Sequence, residues 1–256
     1  QPTSITPNAS ATITVYKSYT NIRFRVENII TPDGANVKVW AQDTNGNIWD
    51  MITAGWGPEA GFPVEAGYTA TTPFQITVDK VGSYSADIVL YDVLTNEEIS
   101  RQEIKFTASY KTNINGVDYV FENYNDLFEQ LPSDVQATVV LQNNIEEEII
   151  IPENKDIVLD LNNNTITGNV AITNNGTLSI VNGTIVTDNN AIINNGTIAE
   201  IDNVVINSEW TGINNKGTIE KIYNTNIDAR MYPIILTDAK IGELDNNTAT
   251  GHYQFG

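Results

Sequence analysis

Cysteine is absent from the 256 residues, and histidine occurs once, at position 252. The first absence excludes disulfides and thiolate metal sites, so stability has to come from hydrogen-bonded sheet and apolar burial. The second leaves no Ser, His and Asp arrangement that does not pass through His252, which sits fifth from the end of the sequence, where a frayed segment is expected. Basic residues are scarce: 13 Lys and Arg stand against 32 Asp and Glu, a net charge of −19. Such a chain is repelled by polyanions, which excludes nucleic acid and an anionic membrane surface as partners. The imbalance is concentrated in residues 111–256, with 20 acids and six bases, against 12 and seven in residues 1–110. No apolar run approaches the roughly 20 residues that cross a bilayer, so no membrane insertion is expected. The sequence starts at Gln1 with neither a Met nor a basic leader, and the expectation is an extracellular protein after signal-peptide removal.

The length suits two domains. Through residue 110, apolar and polar residues alternate in short runs: Ala11–Tyr16, Ile22–Val26, Val37–Ala41, Phe74–Val78, Ser85–Tyr91 and Ile99–Phe106. A period of two predicts half-buried antiparallel strands. Asp43–Asn47 lies between two such runs and predicts a hairpin turn with Gly46 at positive φ. Tyr84, just ahead of the Ser85–Tyr91 run, stands where an immunoglobulin-like sandwich places a tyrosine corner. Residues 1–110 are therefore expected to be an Ig-like β-sandwich. Ala54–Thr72, with Gly55, Gly57, Pro58, Gly61, Pro63 and Gly67, reads as a long loop too rich in turn formers for a strand.

Residues 111–256 are governed by a repeat. Asn175-Gly-Thr, Asn195-Gly-Thr and Lys216-Gly-Thr superpose at offsets of 20 and 21, with glycines at Gly176, Gly196 and Gly217. A second set follows in Asn182–Ile185, Asn203–Ile206 and Asn224–Ile227, and a third in Val170–Ile172, Ala191–Ile193, Gly212–Ile213 and Pro233–Leu236. Three short strands in about 20 residues match the stacked coils of a right-handed parallel β-helix and not a helical solenoid, whose period is longer. Stacking places like side chains about 4.8 Å apart. Asn175, Asn195 and Asn215, within the doublets at 174–175, 194–195 and 214–215, are expected to form a structural asparagine ladder. One helix is expected, at about 123–131, started by Asn123 or Asn125, apolar at Leu127, Phe128 and Leu131, and stopped by Pro132. Its place ahead of the coils predicts an N-terminal cap. After Thr248 the sequence ends within eight residues, and the expectation there is an open end suited to end-to-end or lattice assembly, or a piece of a longer protein.

Candidate chemistry is sparse. Asp160, Asp202 and Asp245 occupy nearly matching coil positions, and Arg230 with Asp228, Tyr232 and Asp238 makes a second small group. Asp43, Asn45 and Asp50, with Asn47, have oxygen-ligand spacing and are weak calcium candidates, although Gly46 comes too early for an EF-hand loop. Glu146–Glu148 reads as a solvated acidic corner. Trp210, Tyr223, Arg230 and Tyr232 are weak glycan candidates on the coils, as are Trp56, Phe62 and Tyr68 in the long loop. Six Asn-X-Ser/Thr sequons, at Asn8, Asn163, Asn175, Asn182, Asn195 and Asn246, include the turn motif of the repeat itself.

Asn125–Phe128, Val139–Asn143, Ile149–Glu153 and Lys155–Asn162, leading to Thr165–Gly168, resemble the opening of the pectin-lyase-like β-helix modules of secreted bacterial surface proteins and adhesins. Trp40–Asn47, Gly55–Pro58, Gly61–Pro63 and Thr71–Phe74 resemble Ig-like modules of S-layer and other surface proteins of Gram-positive bacteria. The resemblance implies a cell-surface protein and no defined active site. The expectation is a non-enzymatic, secreted structural, assembly or adhesive protein. It would be a self-assembling subunit of a surface layer or extracellular filament, whose partners are its own copies, other surface proteins or glycans, with no required cofactor. The alternative is a polysaccharide-binding or polysaccharide-cleaving module assisted by calcium.

Overall fold

The computed structural model describes residues 8–42, 45–55, 57–133 and 135–252. Among the described residues the structure is all-β apart from one short helix, and the chain divides into two compact units, Gln1–Lys111 and Thr112–Gly256.

In the first unit β1 (Asn8–Thr14), β2 (Tyr19–Ile30), β3 (Val37–Gln42), β4 (Ile48–Asp50), β5 (Phe62–Val64), β6 (Thr69–Val78), β7 (Gly82–Asp92) and β8 (Glu98–Ala108) form two antiparallel sheets. Their orders are β1-β6-β3-β4 and β5-β2-β7-β8. The alternation read from the sequence sends Ile22, Phe24 and Val26 of β2, Val39 of β3, Phe74 and Ile76 of β6, and Ile88 and Leu90 of β7 into one shared core. Gly46 has φ of +85° between β3 and β4, which pair antiparallel from Trp40↔Asp50 to Gln42↔Ile48.

The reading of Ala54–Thr72 as one long loop needs correction. Phe62–Val64 pairs with the edge of β2, and β6 already begins at Thr69. Gly61 permits this: its φ is +81°, and a Cβ there would lie 2.5 Å from the backbone of Asn21. Pro63 is tolerated because β5 is an edge strand.

A hairpin, β9 (Tyr110–Ile114) with β10 (Val117–Phe121), precedes the helix α1 (Tyr124–Gln130). Asn123 caps the helix: its Oδ1 accepts from the Asp126 amide at 2.9 Å, and its Nδ2 donates to the Asp126 carboxylate at 3.0 Å. Tyr124, Leu127 and Phe128 form the buried face. Leu131 leaves helical geometry at ψ of 147°, the extended conformation that the following Pro132 favours.

The remaining strands are β11 (Gln136–Val140), β12 (Ile149–Ile151), β13 (Asp156–Asp160), β14 (Thr165–Gly168), β15 (Ile172–Asn174), β16 (Thr177–Thr187), β17 (Asn190–Asn194), β18 (Thr197–Ser208), β19 (Thr211–Asn215), β20 (Thr218–Tyr223), β21 (Asn226–Ala229), β22 (Tyr232–Leu236), β23 (Lys240–Asp245) and β24 (Thr248–Gly251). They make a parallel β-solenoid of about six turns over residues 136–251. Its first face is β11-β13-β16-β18-β20-β23 and its third is β12-β15-β17-β19-β22. A second face runs through β14, the second half of β16, the second half of β18, β21 and β24.

Parallel register makes columns of like side chains. Ile149, Ile172, Ile192 and Ile213 stack along the third face, and Ile166, Ile185, Ile206 and Ile227 along the second, each at most 2% exposed. Burying an isoleucine side chain contributes about 1.5–3 kcal/mol, so these columns supply much of the drive for coil stacking. The change of offset from 20 to 21 has a local cause. The register shifts by one residue after Leu178↔Ile198, where Ala199 is the extra residue of a bulge, and resumes at Ser179↔Glu200.

Candidate functional site

The most ordered polar feature of the solenoid lies inside it. Register on the third face aligns Asn174, Asn194 and Asn215, all 0% exposed, in a column whose ends are Ile151 and Leu236. Asn174 Nδ2 donates to Asn194 Oδ1 at 2.8 Å, and Asn194 Nδ2 to Asn215 Oδ1 at 2.7 Å. Each amide also ties its own turn and the next coil: Asn194 Nδ2 reaches the carbonyls of Gly196 at 3.2 Å and Thr218 at 3.0 Å. A buried amide is tolerated only when its hydrogen-bonding groups are matched, and here the repeat matches them coil by coil.

The expected ladder through Asn175, Asn195 and Asn215 therefore needs a one-residue correction. Asn175 and Asn195 form an outer pair, with Asn195 Nδ2 donating to Asn175 Oδ1 at 2.9 Å. In the third coil that outer place falls to Lys216, because Asn215 aligns with Asn194. Strand register follows the apolar alternation, and the inward position two residues beyond Ile172, Ile192 and Ile213 is the first asparagine of the first two doublets and the second of the third. Left-handed backbone occurs elsewhere, in Asn182, Asn203, Asn224 and Asn246, with φ of 59°, 56°, 47° and 52°. They form two side-chain pairs as well: Asn203 Nδ2 donates to Asn182 Oδ1 at 3.1 Å and Asn246 Nδ2 to Asn224 Oδ1 at 2.6 Å.

Gly176, Gly196 and Gly217 are required by close approach. A Cβ on Gly196 would lie 2.2 Å from the Gly176 carbonyl oxygen, and one on Gly217 would lie 2.0 Å from that of Gly196.

The acidic positions are partly absorbed by the same scaffold. Asp160, Asp202 and Asp245 share one column on the first face, separated by Val181 and Tyr223. Asp160 accepts from the Asn162 amide at 2.9 Å and Asn182 Nδ2 at 3.2 Å, and Asp202 accepts from Asn224 Nδ2 at 2.8 Å. Tyr223 donates its hydroxyl to Glu243, and this bond, with some burial, pushes its pKa up to about 12. Burial raises the Glu147 carboxyl above the usual range, with the Asp126 charge adding to it.

Asp43 and Trp56 lie outside the described residues. Asn45 is exposed, and Asp50 is occupied in a turn, where its Oδ1 accepts from the amides of Ile52 at 2.9 Å and Thr53 at 3.2 Å. Tyr68 is 52% exposed, and Phe62 stacks on Phe24. Among the described residues no three His, Cys, Asp or Glu side chains group closely enough to hold a metal ion.

The other polar grouping is external. Because Thr187, Ser208, Ala229 and Gly251 align, the residues that follow them, Asp188, Glu209, Arg230 and His252, occupy one turn position on four successive coils. Val186, Asn207 and Asp228 align beside them. A trough of about 440 Å³ lies between the two columns. Arg230 meets Glu209 at 3.6 Å, and His252 Nε2 meets Asp228 Oδ1 at 2.6 Å across the trough. Of the grouping expected from the sequence, Asp228 and Arg230 line the trough and Tyr232 and Asp238 do not, while His252 and Glu209 are members that sequence spacing alone did not associate. Trp210, next to Glu209, is 50% exposed, and Tyr232 is 37% exposed.

Comparison of the chain with protein-family models, with curated proteins and with solved structures finds no match.

Proposed function

We propose that the chain is a non-enzymatic, extracellular surface scaffold, an Ig-like sandwich followed by a right-handed β-helix, serving structure, assembly or adhesion. The buried Asn174–Asn194–Asn215 column is the observation that carries this reading. It gives the polar repeat of the solenoid an internal, coil-locking role, and a rod stiffened coil by coil suits a protein that must hold its shape outside the cell without disulfides.

The finer fold assignments belong to the same proposal. An Ig-like first unit is supported by Tyr84, whose hydroxyl donates to the Lys80 carbonyl at 2.7 Å near the start of β7, the bond a tyrosine corner makes. The helix is read as a cap because its side chains occupy the free edge of the first coil. Tyr124 Oη accepts from the Gln142 amide at 3.0 Å, and the buried Lys155 donates to the Leu131 carbonyl at 2.5 Å, just past the end of α1. Partners are copies of the chain or other surface proteins.

Immunogold labelling of unpermeabilised source cells, paired with light scattering of the intact chain alone and mixed with an extract of cell-envelope proteins, tests this reading. Surface label together with self-association or envelope-protein binding is expected. Label confined to the cell interior would overturn it.

A further inference from the structure

We infer that the β22–β23–β24 end of the solenoid pairs with the same end of a second copy of this chain, edge to edge about a two-fold axis. The inference rests on the scaffold reading and deepens it, since it names the partner and the contact surface through which such a scaffold assembles.

That end combines an unpaired edge with an uncovered core. β22, β23 and β24 pair with β19, β20 and β21, and among the described residues no strand pairs on their other side. Leu244 is 59% exposed, whereas Ile201 and Ile222, its column mates in the two coils before, are 0% and 1% exposed. Leu236, on the third face, is half exposed as well. The opposite end carries α1, and there Asn125 and Tyr124 already occupy the backbone amides of Ile150 and Gln142. The free edge therefore finds its match in the like end of a second copy, and not head to tail.

The residues of β23 fit that pairing. Its ends are a base, Lys240, and an acid, Asp245, with Ile241 and Leu244 just inside them. Antiparallel pairing about a two-fold between Gly242 and Glu243 sets Lys240 opposite the second copy's Asp245 and Ile241 opposite the second copy's Leu244, and symmetry makes each pair twice. Ile241 and Leu244 continue the inward columns of Ile219 and Ile222, so the two cores join. Asp160 and Asp202 each accept from an asparagine of the following coil, Asn182 at 3.2 Å and Asn224 at 2.8 Å. Asp245 shares their column, and the second copy's Lys240 takes the following place. A recess of about 620 Å³ at this point is lined by Glu243 and Asp245 with Tyr223, Asn224 and Leu244, and by no base, which suits that ammonium group. The same two-fold lays β22 against the second copy's β24. There the inward Ile234 and Leu236 are large where the inward Ala249 and Gly251 are small.

The test is analytical ultracentrifugation of the intact chain over the micromolar range, at physiological salt so that the repulsion between two chains of −19 is screened. It is joined to carbodiimide cross-linking of a mixture of isotope-labelled and unlabelled chains. A monomer–dimer equilibrium is expected, with mixed-label peptides joining Lys240 to Asp245 through the amide that forms from ammonium and carboxylate with loss of water. Lys240→Asp and Asp245→Lys should each weaken the dimer about tenfold or more, and the two together should restore it to within about threefold, because the exchanged charges still meet. Leu244→Glu, at an exposed position, should abolish the dimer and leave the circular dichroism spectrum unchanged. A monomer at every concentration, open-ended polymers in place of a dimer, cross-links joining other residues, or no rescue by the double exchange would each overturn the pairing. Surface label on a monomeric chain would overturn the pairing and leave the scaffold reading standing, whereas interior label would overturn the scaffold reading even with the pairing intact.

Discussion

The side-chain amide of Asn125 brackets Ile149 as a preceding coil would. Its Nδ2 donates to the Glu148 carbonyl at 2.9 Å, and its Oδ1 accepts from the Ile150 amide at 2.8 Å. Ile149 itself faces the other way, its amide bonding the Ala171 carbonyl of the next coil at 2.8 Å. One residue of α1 thus satisfies the two backbone groups that a parallel neighbour of β12 would otherwise take.

Replacing Asn125 with Ala should expose that pair of groups and cost about 1–3 kcal/mol. Denaturant unfolding of the intact chain measures the loss. Light scattering of the same variant should show added dimer or larger species, since an open strand edge invites pairing. Full stability and an unchanged mass would contradict the assignment.

Asn194→Leu should destabilise the protein by about 2–4 kcal/mol, because it removes the central link and strands polar groups of its neighbours in the core. Converting Asn174, Asn194 and Asn215 to Leu together should cost less than the three single changes summed, since the column then continues the apolar Ile151 and Leu236 at its ends. Thermal and denaturant unfolding of the four variants test this; strict additivity would argue against a coupled ladder.

Two neighbours separate scaffold geometry from surface. Gly196→Ala places a methyl against the Gly176 carbonyl and should cost about 2 kcal/mol or more, by strain between coils. Asn195→Ala removes one exposed side-chain bond and should cost under about 1 kcal/mol. Comparable losses at the two positions would mean that coil approach is looser than described.

Acid should unfold the first unit partly through Arg101, which bonds Glu27, Asp87 and Glu98 at 2.8, 2.6 and 2.7 Å. Asn28 and then Arg101 hold the Asp87 carboxyl below its ordinary 3.8, and Arg101 holds Glu98 below 4.5. A lowered folded value contributes stability that is complete above the ordinary pKa and is lost as pH falls through the lowered one. Stability should therefore decline with acid below about pH 4.5, and Arg101→Met should flatten that decline. These groups are exposed, so added salt should flatten it too. An identical acid limb in wild type and Arg101→Met would remove the network from the account.

How far the sequence reveals this molecule depends on whether a signal repeats. The coils are legible because Gly176, Gly196 and Gly217 and the isoleucine columns recur every 20 or 21 residues. Matching the coils by their glycines or by their isoleucines gives one register, which pairs Asn174 with Asn194 and Asn215 and equally Asn175 with Asn195 and Lys216, so the repeat alone does not say which set faces the core. A doublet of identical residues hides that choice until register is seen. Strand β5 is hidden for another reason: Gly61 and Pro63 read as breakers, and only the edge of β2 gives them an extended path. The Asn125 plug and the His252–Asp228 pair join residues 23 to 25 positions apart with no local pattern to mark them.

The central claim, a scaffold without turnover, is tested most directly by incubating the intact chain with neutral and acidic polysaccharides, with and without calcium, and following reducing ends and unsaturated products. The account predicts no product above the protein-free blank under any condition. Sustained product formation that disappears in Asp160→Ala or Arg230→Ala would contradict it.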